Sequence, residues 1–275
     1  MPVKPKKIKV GIVGCGAIGS RIAKAIAHEL KNTYRLTGLY DINEPKARDL
    51  EKSLKARSIV KPSLGSLLRS CELMVEAVNA KDTKGLLRQA LNAKRNLLVM
   101  SVGQLLGAED LLELARKKKC AVLIPSGAIA GLDAVKAASS VNIKYITLTT
   151  RKPVSGFANI PYLADKSIDL AQITKETVIF EGDVDTAVKY FPQNINVAAT
   201  IALASGAKNK ITIRIITSPD FKTNSHEIEM VGDFGRLVTR TENVLCPDNP
   251  KTSYLAVLSA IQTLREYYQK VKIGT

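Results

Sequence analysis

Three glycines and one aspartate form the pattern in this sequence that most directly indicates chemistry. Gly14, Gly16 and Gly19 follow a short apolar segment, and Asp41 ends the next apolar segment, 22 residues after Gly19. Between a strand and a helix, the first glycine of such a set allows a tight turn and the second lets the backbone approach a pyrophosphate. The third lets the helix pack closely on the strand. The pattern predicts a dinucleotide site, and an ordinary strand–helix turn rich in small residues is the plainer alternative.

The helix that follows the glycines supplies further groups for such a ligand. Its first amide groups, those of Ala17 and Ile18, are placed to bind phosphate oxygens. Asp41 is placed to accept hydrogen bonds from ribose hydroxyls and to repel a 2′-phosphate, which favours NAD. The nearby Lys46 and Arg48 leave NADP open as well.

The chain has two histidines, and their contexts differ. His28 lies among basic residues opposite the apolar stripe of a predicted helix, so we expect it to be solvated. His226 follows a polar turn at the start of a predicted strand, where a histidine can face a cleft and titrate near neutral pH. The sequence favours catalysis by His226 no more than it favours an ordinary surface position.

Other polar residues lie at the ends of predicted elements. Arg151 and Lys152 end a strand and carry the charges that a dicarboxylate needs, although a solvated strand end explains them equally well. Thr252 and Ser253 lie at the start of the last predicted helix, where they cap it or bind a carboxylate. The small residues of 126–131 follow the last predicted parallel strand, on the side where α/β sheets bind ligands, or they form a simple connection.

Residues 8 to about 125 alternate between strand and helix patterns, which predicts an α/β fold with a Rossmann-type doubly wound parallel sheet. The predicted strands are 8–13, 35–40, 73–78, 97–102 and 121–124, and the predicted helices are 17–30, 45–54, 84–93 and 108–118.

The remainder predicts a second, α+β domain with a mostly antiparallel sheet, because its strands alternate polar and apolar residues. Its predicted strands are 143–150, 177–180, 211–217, 227–231 and 237–241, and its helices are 132–140, 194–204 and 252–271. We therefore expect a dinucleotide-binding domain over 1–125, completed by a C-terminal helix within 250–275. We expect a substrate-binding, catalytic and dimerisation domain over 126–249.

Composition narrows the class of protein. Hydrophobic residues make up 45% and charged residues 24% of the 275 residues, and no apolar run is long enough to span a bilayer. The net charge of +16 is scattered, with one tight cluster at 116–119 that ends a predicted helix, so nucleic-acid binding is not favoured. The four cysteines form no C-x-x-C pair, so we expect reduced thiols and no metal site. We expect a cytoplasmic protein, since the glycine turn explains the N-terminal apolar stretch better than a signal peptide does.

Taken together, six segments resemble the L-aspartate dehydrogenase family that is linked to NAD biosynthesis. The resemblance covers nearly the whole chain, and the combination of segments is more specific than the glycine motif alone. The segments are 14–19 (GCGAIG), 125–134 (PSGAIAGLDA), 150–153 (TRKP), 191–198 (FPQNINVA), 224–228 (NSHEI) and 249–254 (NPKTSY).

The resemblance implies a role for several residues and for the protein. His226 matches the family's active-site histidine, Asn196 an asparagine that contacts NAD, and Ala130, or else Ala128, an alanine that does the same. The implied reaction is the reversible oxidative deamination of L-aspartate to iminosuccinate, which hydrolyses to oxaloacetate and ammonia or is passed to quinolinate synthase. Two alternatives remain at this stage: another Rossmann-type oxidoreductase acting on a small amino or keto acid, and a regulatory protein that binds NAD without turnover.

Overall fold

The computed structural model describes residues 6–78, 83–158, 160–191, 195–247 and 249–274. The chain divides into two compact units. The first comprises Met1–Pro125 with Ala260–Lys270, and the second comprises Ser126–Ser259 with Val271–Thr275. Within the described residues, no helix has the length and apolar character that a membrane span requires.

The first unit alternates strands and helices, as the sequence predicts. Its strands are β1 (Ile8–Val13), β2 (Tyr34–Tyr40), β3 (Leu73–Glu76), β4 (Asn96–Val99) and β5 (Val122–Leu123), and its helices are α1 (Ala17–His28), α2 (Glu44–Ser53), α3 (Leu64–Ser70), α4 (Thr83–Asn92) and α5 (Glu109–Lys118).

The five strands of the first unit form one parallel sheet in the order β2-β1-β3-β4-β5. The chain passes from β1 to β2 on one side and then crosses back to β3 on the other side. The strand order therefore reverses between β1 and β3, and α/β sheets bind their ligands outside the carboxyl ends of the strands at such a point.

The core of this sheet explains why the apolar segments become strands. Val10, Ile12 and Leu73 are fully buried, as expected for strands covered on both faces. Sequence analysis missed α3, which has only seven residues. Its signals were present: Ser63 caps the helix by accepting a hydrogen bond from Ser66 N, and Leu64, Leu67 and Leu68 lie buried on one side.

The second unit carries a mixed sheet and several helices. Its strands are β6 (Ile143–Pro153), β7 (Thr177–Gly182), β8 (Ile211–Ser218), β9 (Asn224–Gly232), β10 (Gly235–Asn243), β11 (Leu245–Cys246) and β12 (Asn249–Ser253), and its helices are α6 (Leu132–Ala138), α7 (Pro161–Asp165), α8 (Val184–Tyr190), α9 (Asn196–Ser205) and α10 (Tyr254–Tyr268).

The large sheet of this unit has the order β10-β9-β6-β8-β7, and every pairing except the parallel β6–β8 pair is antiparallel. The predicted fold class is therefore confirmed. One face, which we call the buried face, carries Ile146, Leu148, Ile228 and Met230, all buried. The opposite face, which we call the open face, exposes 44% of Tyr145 and 48% of Val238.

The last helix is shorter than predicted. Residues 249–253 form β12, which pairs with β11, and the helix begins only at Tyr254. The pairing of Ser253 with Leu245 explains the difference, because it holds Thr252 and Ser253 in extended backbone and not in a helical turn. The helix also crosses the division of the chain, since its residues up to Ser259 belong to the second unit and those from Ala260 belong to the first.

Candidate active site

The glycine turn at the carboxyl end of β1 has the geometry that its sequence predicts. Gly14 has a φ of 93°, and a Cβ atom there would lie 2.4 Å from the carbonyl oxygen of Ala77. A Cβ atom on Gly19 would lie 1.8 Å from the carbonyl oxygen of Gly14. The turn and the close helix packing therefore require Gly14 and Gly19, so this structural part of the interpretation is confirmed.

The space beside the middle glycine is open. Among the described residues, apart from its own chain neighbours, a Cβ atom on Gly16 would meet no atom within 4 Å. Gly16 precedes α1 and provides no side-chain cap, so Ala17 and Ile18 begin the helix with amide groups that lack helical acceptors. Both residues are partly exposed. The turn thus fits an anionic group such as a pyrophosphate.

Asp41 is held against the same turn. Its carboxylate accepts hydrogen bonds from Cys15 N at 2.7 Å and from Asn43 N at 2.8 Å. The thiol of Cys15 is buried, and burial together with the negative charge of Asp41 raises the pKa of Cys15 to about 12. The thiol is therefore neutral at physiological pH. Asp41 is the charged group that the structure places beside the glycines.

In the second unit, His226 lies on the buried face of the large sheet. It is paired with Thr150 of the neighbouring strand, and Thr150 Oγ1 lies 3.1 Å from His226 Nδ1. Only 5% of His226 is exposed, and burial together with the charge of Lys152 lowers its pKa to about 3. The expectation that His226 titrates near neutral pH is therefore wrong: its imidazole is neutral, because a charge is costly where the ring is desolvated.

Lys152 accompanies His226, whereas Arg151 does not. Side chains alternate along a strand, so Lys152 shares the face of Thr150 and Arg151 projects from the open face. Burial lowers the pKa of Lys152 to about 8. Arg151 forms ion pairs with Glu227 at 3.2 Å and with Glu176 at 3.5 Å. The structure therefore brings one of the two predicted cations, and not the other, to the side of the imidazole.

The small-residue loop at 126–131 is anchored to the same face of the sheet. The carbonyl oxygen of Ala128 accepts hydrogen bonds from Thr241 Oγ1 at 2.8 Å and from Asn243 Nδ2 at 3.0 Å, and the carbonyl oxygen of Ala130 accepts one from Thr239 Oγ1 at 3.1 Å. Sequence analysis missed these three β10 side chains, although their period-two spacing was a signal for a polar stripe on one face. Ala128 is buried and Ala130 is exposed, so the Ala130 methyl group is the more accessible of the two.

The remaining predicted residues lie at element ends. Asn196 is the first residue of α9 and is exposed. Thr252 and Ser253 end β12 instead of opening a helix. Ser253 is buried, and its hydroxyl oxygen accepts a hydrogen bond from Asn224 Nδ2 at 3.4 Å. Asn224 precedes His226 by two residues, so this contact lies on the face that carries the imidazole.

Two further observations concern the second histidine and metal binding. His28 is exposed, as predicted. Across the part of the chain that the structure describes, no group of three or more histidine, cysteine, aspartate or glutamate residues is arranged to hold a metal ion.

An open glycine turn on a parallel sheet, followed by a mixed sheet that carries a buried histidine, defines a dinucleotide-dependent dehydrogenase of two units. Family models agree with this class. Residues 14–125 match the NAD-binding domain of homoserine dehydrogenase, and residues 133–267 match the C-terminal domain of aspartate dehydrogenase.

Full-length relatives identify the family. The chain is 43% identical over 271 residues to an L-aspartate dehydrogenase of Methanosarcina barkeri, covering 98% of this chain and all of that protein. It is 39% identical to one of Methanococcus maripaludis over 272 residues, with the same coverage. The crystal structure of aspartate dehydrogenase from Thermotoga maritima shares the fold, with a TM-score of 0.70 and 24% identity, covering 98% of this chain and all of that one. The chain belongs to the L-aspartate dehydrogenase family.

Proposed function

We propose that this protein catalyses the NAD(P)-dependent oxidative deamination of L-aspartate to iminosuccinate, and the reverse reaction. The observation that carries the proposal is the buried His226–Thr150 pair with Lys152 on the same face of the sheet. A cation suited to a carboxylate thus lies beside a neutral imidazole suited to proton transfer. The glycine turn of the first unit supplies the site for the coenzyme.

The coenzyme would be held by the glycine turn and by Asp41. The amide groups of Ala17 and Ile18 face the pyrophosphate, and the carboxylate of Asp41 accepts hydrogen bonds from the ribose. Bound NAD supplies a hydride acceptor, so that Cα of aspartate loses a hydride and its amine becomes an imine. By resemblance, Asn196 and Ala130, or else Ala128, contact the coenzyme.

The cation and the hydroxyl groups orient the substrate. Lys152 pairs with a carboxylate of aspartate, and Thr252 and Ser253, directly before α10, are candidates for the other carboxylate. Ala130 is exposed, and hydrogen bonds to β10 hold the loop that carries it, which favours a preformed surface for the coenzyme. Arg151 remains a weaker candidate, because the two glutamates already neutralise its charge.

His226 moves the protons. Thr150 occupies Nδ1, which leaves Nε2 as the ring nitrogen for the substrate amine or for water. The imidazole accepts a proton as the ammonium group becomes an imine, and then releases it to solvent. The neutral ring next accepts a proton from the water that attacks iminosuccinate and returns it to the nitrogen, which leaves as ammonia while oxaloacetate forms. The substrate's own carboxylates raise the basicity of the imidazole on binding, because negative charges nearby favour its protonated form.

The direct test is absorbance of reduced nicotinamide after L-aspartate and NAD are mixed with the protein. General acid–base assistance contributes typically about 10²–10⁴-fold, so His226→Ala should lower kcat by that order while the Kd for NADH stays unchanged. His28→Ala is the matched control, since that histidine is exposed. Unchanged kcat in His226→Ala would exclude the proposed role, and NADH binding without turnover in the wild type would favour a regulatory protein.

The preference between NAD and NADP is proposed to depend on Asp41. Arg48, the arginine that follows Asp41 in the sequence, is already paired with Glu44, its Nε donating to Glu44 Oε1 at 2.6 Å. Asp41→Ala should therefore raise the KM for NAD and lower the KM for NADP. Equal Michaelis constants before and after the substitution would show that Asp41 does not select the coenzyme.

We also propose a homodimer formed through the open face of the large sheet. Tyr145, Val178 and Val238 expose more than 40% of their surface on this face. The surrounding charges are already paired within the face, as between Arg236 and Glu229 at 2.9 Å, so burial would leave few of them unmatched. Val238→Lys should halve the mass measured by light scattering, and Val244→Lys, an exposed valine outside this face, should not. A monomeric wild type would refute the dimer.

The destination of the product is a further part of the proposal. Iminosuccinate hydrolyses in water, so its transfer to quinolinate synthase in the cytoplasm would protect it. Adding quinolinate synthase, together with the three-carbon co-substrate that its seven-carbon product requires, should yield more quinolinate from iminosuccinate made by this protein than from free iminosuccinate supplied at the same rate. Equal yields would argue against a direct transfer. The cytoplasmic location is tested separately by cell fractionation, and recovery of the protein in a membrane fraction would argue against it.

A further inference from the structure

Glu76, the last residue of β3, is a fully buried carboxyl group that the proposed reaction does not use. Its two oxygens accept hydrogen bonds from three backbone amides and one hydroxyl group. Oε1 accepts from Val78 N at 2.9 Å and from Ser101 Oγ at 2.8 Å. Oε2 accepts from Met100 N at 3.1 Å and from Ser101 N at 3.0 Å.

These bonds join two segments that follow neighbouring strands. Val78 lies just after β3, and Met100 and Ser101 lie just after β4. The hydroxyl group of Ser101 also contacts the carbonyl oxygen of Val78, which adds a second link between the segments. One carboxyl group therefore fixes the carboxyl ends of two strands relative to each other.

The segment that Glu76 holds lies directly against the glycine turn. A Cβ atom on Gly14 would lie 2.4 Å from the carbonyl oxygen of Ala77 and 2.8 Å from Val78 Cγ1. Ala77 N also donates to the carbonyl oxygen of Val13, at 2.9 Å. This contact occurs between β1 and β3, where the strand order reverses and where α/β sheets bind their ligands.

A carboxyl group at this position is costly to bury. Burial raises the pKa of Glu76, and the amides of Ser101 and Val78 only partly oppose that effect. An apolar side chain would avoid this cost only if the amides of Val78 and Ser101 had other acceptors, because an unpaired buried donor is itself destabilising. The four bonds to Glu76 therefore specify where two backbone segments lie.

We propose that Glu76 is a positioning residue for the coenzyme. It holds the segments after β3 and β4 against the glycine turn, so that the dinucleotide meets a preformed edge of the sheet. This inference rests on the proposed binding of NAD at the glycine turn, and it does not depend on aspartate being the substrate.

Glu76→Gln tests the proposal, because an amide has one acceptor oxygen where the carboxyl group has two. Whichever way the amide is oriented, at least one of the two segments faces an NH2 group instead of an acceptor. We expect the Kd for NADH, measured by nicotinamide fluorescence without substrate, to rise about tenfold, which corresponds to about 1.4 kcal/mol and is of the order of one hydrogen bond.

Thr37→Val is the matched control. The hydroxyl group of Thr37 lies in the middle of β2, away from the carboxyl edge of the sheet, and donates to the carbonyl oxygens of Val10 in β1 and of Ser70 at the end of α3. This variant should lower the melting temperature without changing the Kd for NADH. If Glu76→Gln also lowers only the melting temperature, Glu76 is merely structural and the proposal is refuted.

Ser101→Ala keeps the proposal testable if Glu76→Gln does not fold. It removes one donor and leaves the three backbone amides in place, so a rise of about threefold in the Kd for NADH is expected. An unchanged Kd in that variant would refute the proposal. A wild type that binds NADH but does not oxidise aspartate would refute the proposed reaction and leave the role of Glu76 intact, because the readout is binding.

Discussion

Replacing Gly16 by alanine should separate binding from folding. Gly16 has φ −71° and ψ −168°, an extended conformation that alanine adopts freely. Beyond its chain neighbours, no atom of the part of the chain that the structure describes lies within 4 Å of the added Cβ. Gly-to-Ala changes at compatible positions stabilise a protein by about 0.4–1 kcal/mol, through the unfolded chain. The melting temperature of Gly16→Ala should therefore stay the same or rise slightly.

Binding should respond in the opposite direction. The added methyl group projects into the space where the backbone is expected to meet the pyrophosphate. The displaced phosphate would lose at least one hydrogen bond from an amide, and bonds to charged groups contribute about 1.5–3 kcal/mol each. The Kd for NADH should then increase about 10- to 150-fold.

Gly19→Ala is the control variant, because it changes a glycine that the fold itself requires. Its Cβ would lie 1.8 Å from the carbonyl oxygen of Gly14, so the start of α1 must move away from β1. This variant should lose stability, and its melting temperature should fall clearly below that of the wild type. Thermal melting and a fluorescence titration with NADH measure both quantities for each variant. If Gly16→Ala binds NADH as tightly as the wild type, the coenzyme does not approach the middle glycine and the assignment of this turn is wrong.

Three further outcomes follow from the structure. Succinate, a four-carbon dicarboxylate without an amine, is a probe for the charge of Lys152. Its Kd, measured by calorimetry, should rise by up to about tenfold per pH unit above pH 8, because Lys152 loses its charge there. Lys152→Arg should abolish that rise. Between pH 6.5 and 5, His226 binds a proton in the unfolded chain but not in the folded one, so the free energy of unfolding should fall by about 1.5 kcal/mol over that range. In urea titrations His226→Gln should lack that part of the loss. Equal losses in the wild type and the variant would contradict the burial of the imidazole. Tyr34→Phe removes a buried hydrogen bond of 2.6 Å to the carbonyl oxygen of Leu264 and should lower the free energy of unfolding by about 1–2 kcal/mol, whereas the exposed Tyr268→Phe should have no effect.

Local patterns in the sequence predict much of the first unit. The glycine spacing identifies the turn after β1, and the apolar runs identify the parallel strands, because both signals depend on residues close together in the chain. The short helix α3 escaped this reasoning, since seven residues offer fewer than two full repeats of a helical pattern. Thr252 and Ser253 of β12 were mistaken for the start of α10, because their pairing with β11 leaves no local pattern in so short a strand.

The candidate site depends on pairings that the sequence does not reveal. Alternation along β6 implies that Arg151 and Lys152 point to opposite faces, but not which face is covered. Burial of His226 depends on its pairing with Thr150, a strand partner 76 residues earlier. The same pairing decides that its pKa falls to about 3, because desolvation outweighs the ordinary tendency of histidine to titrate near neutrality.

The contact between Tyr34 and Leu264 has a consequence for biosynthesis. Its two ends are separated by 230 residues, so a ribosome adding about 5–20 residues per second needs roughly 10–50 s to supply the second after the first. During that interval the buried tyrosine of the nascent amino-terminal half lacks its acceptor. Completion of that half must therefore await synthesis of α10, and a chain truncated before Leu264 should be recognised by proteases.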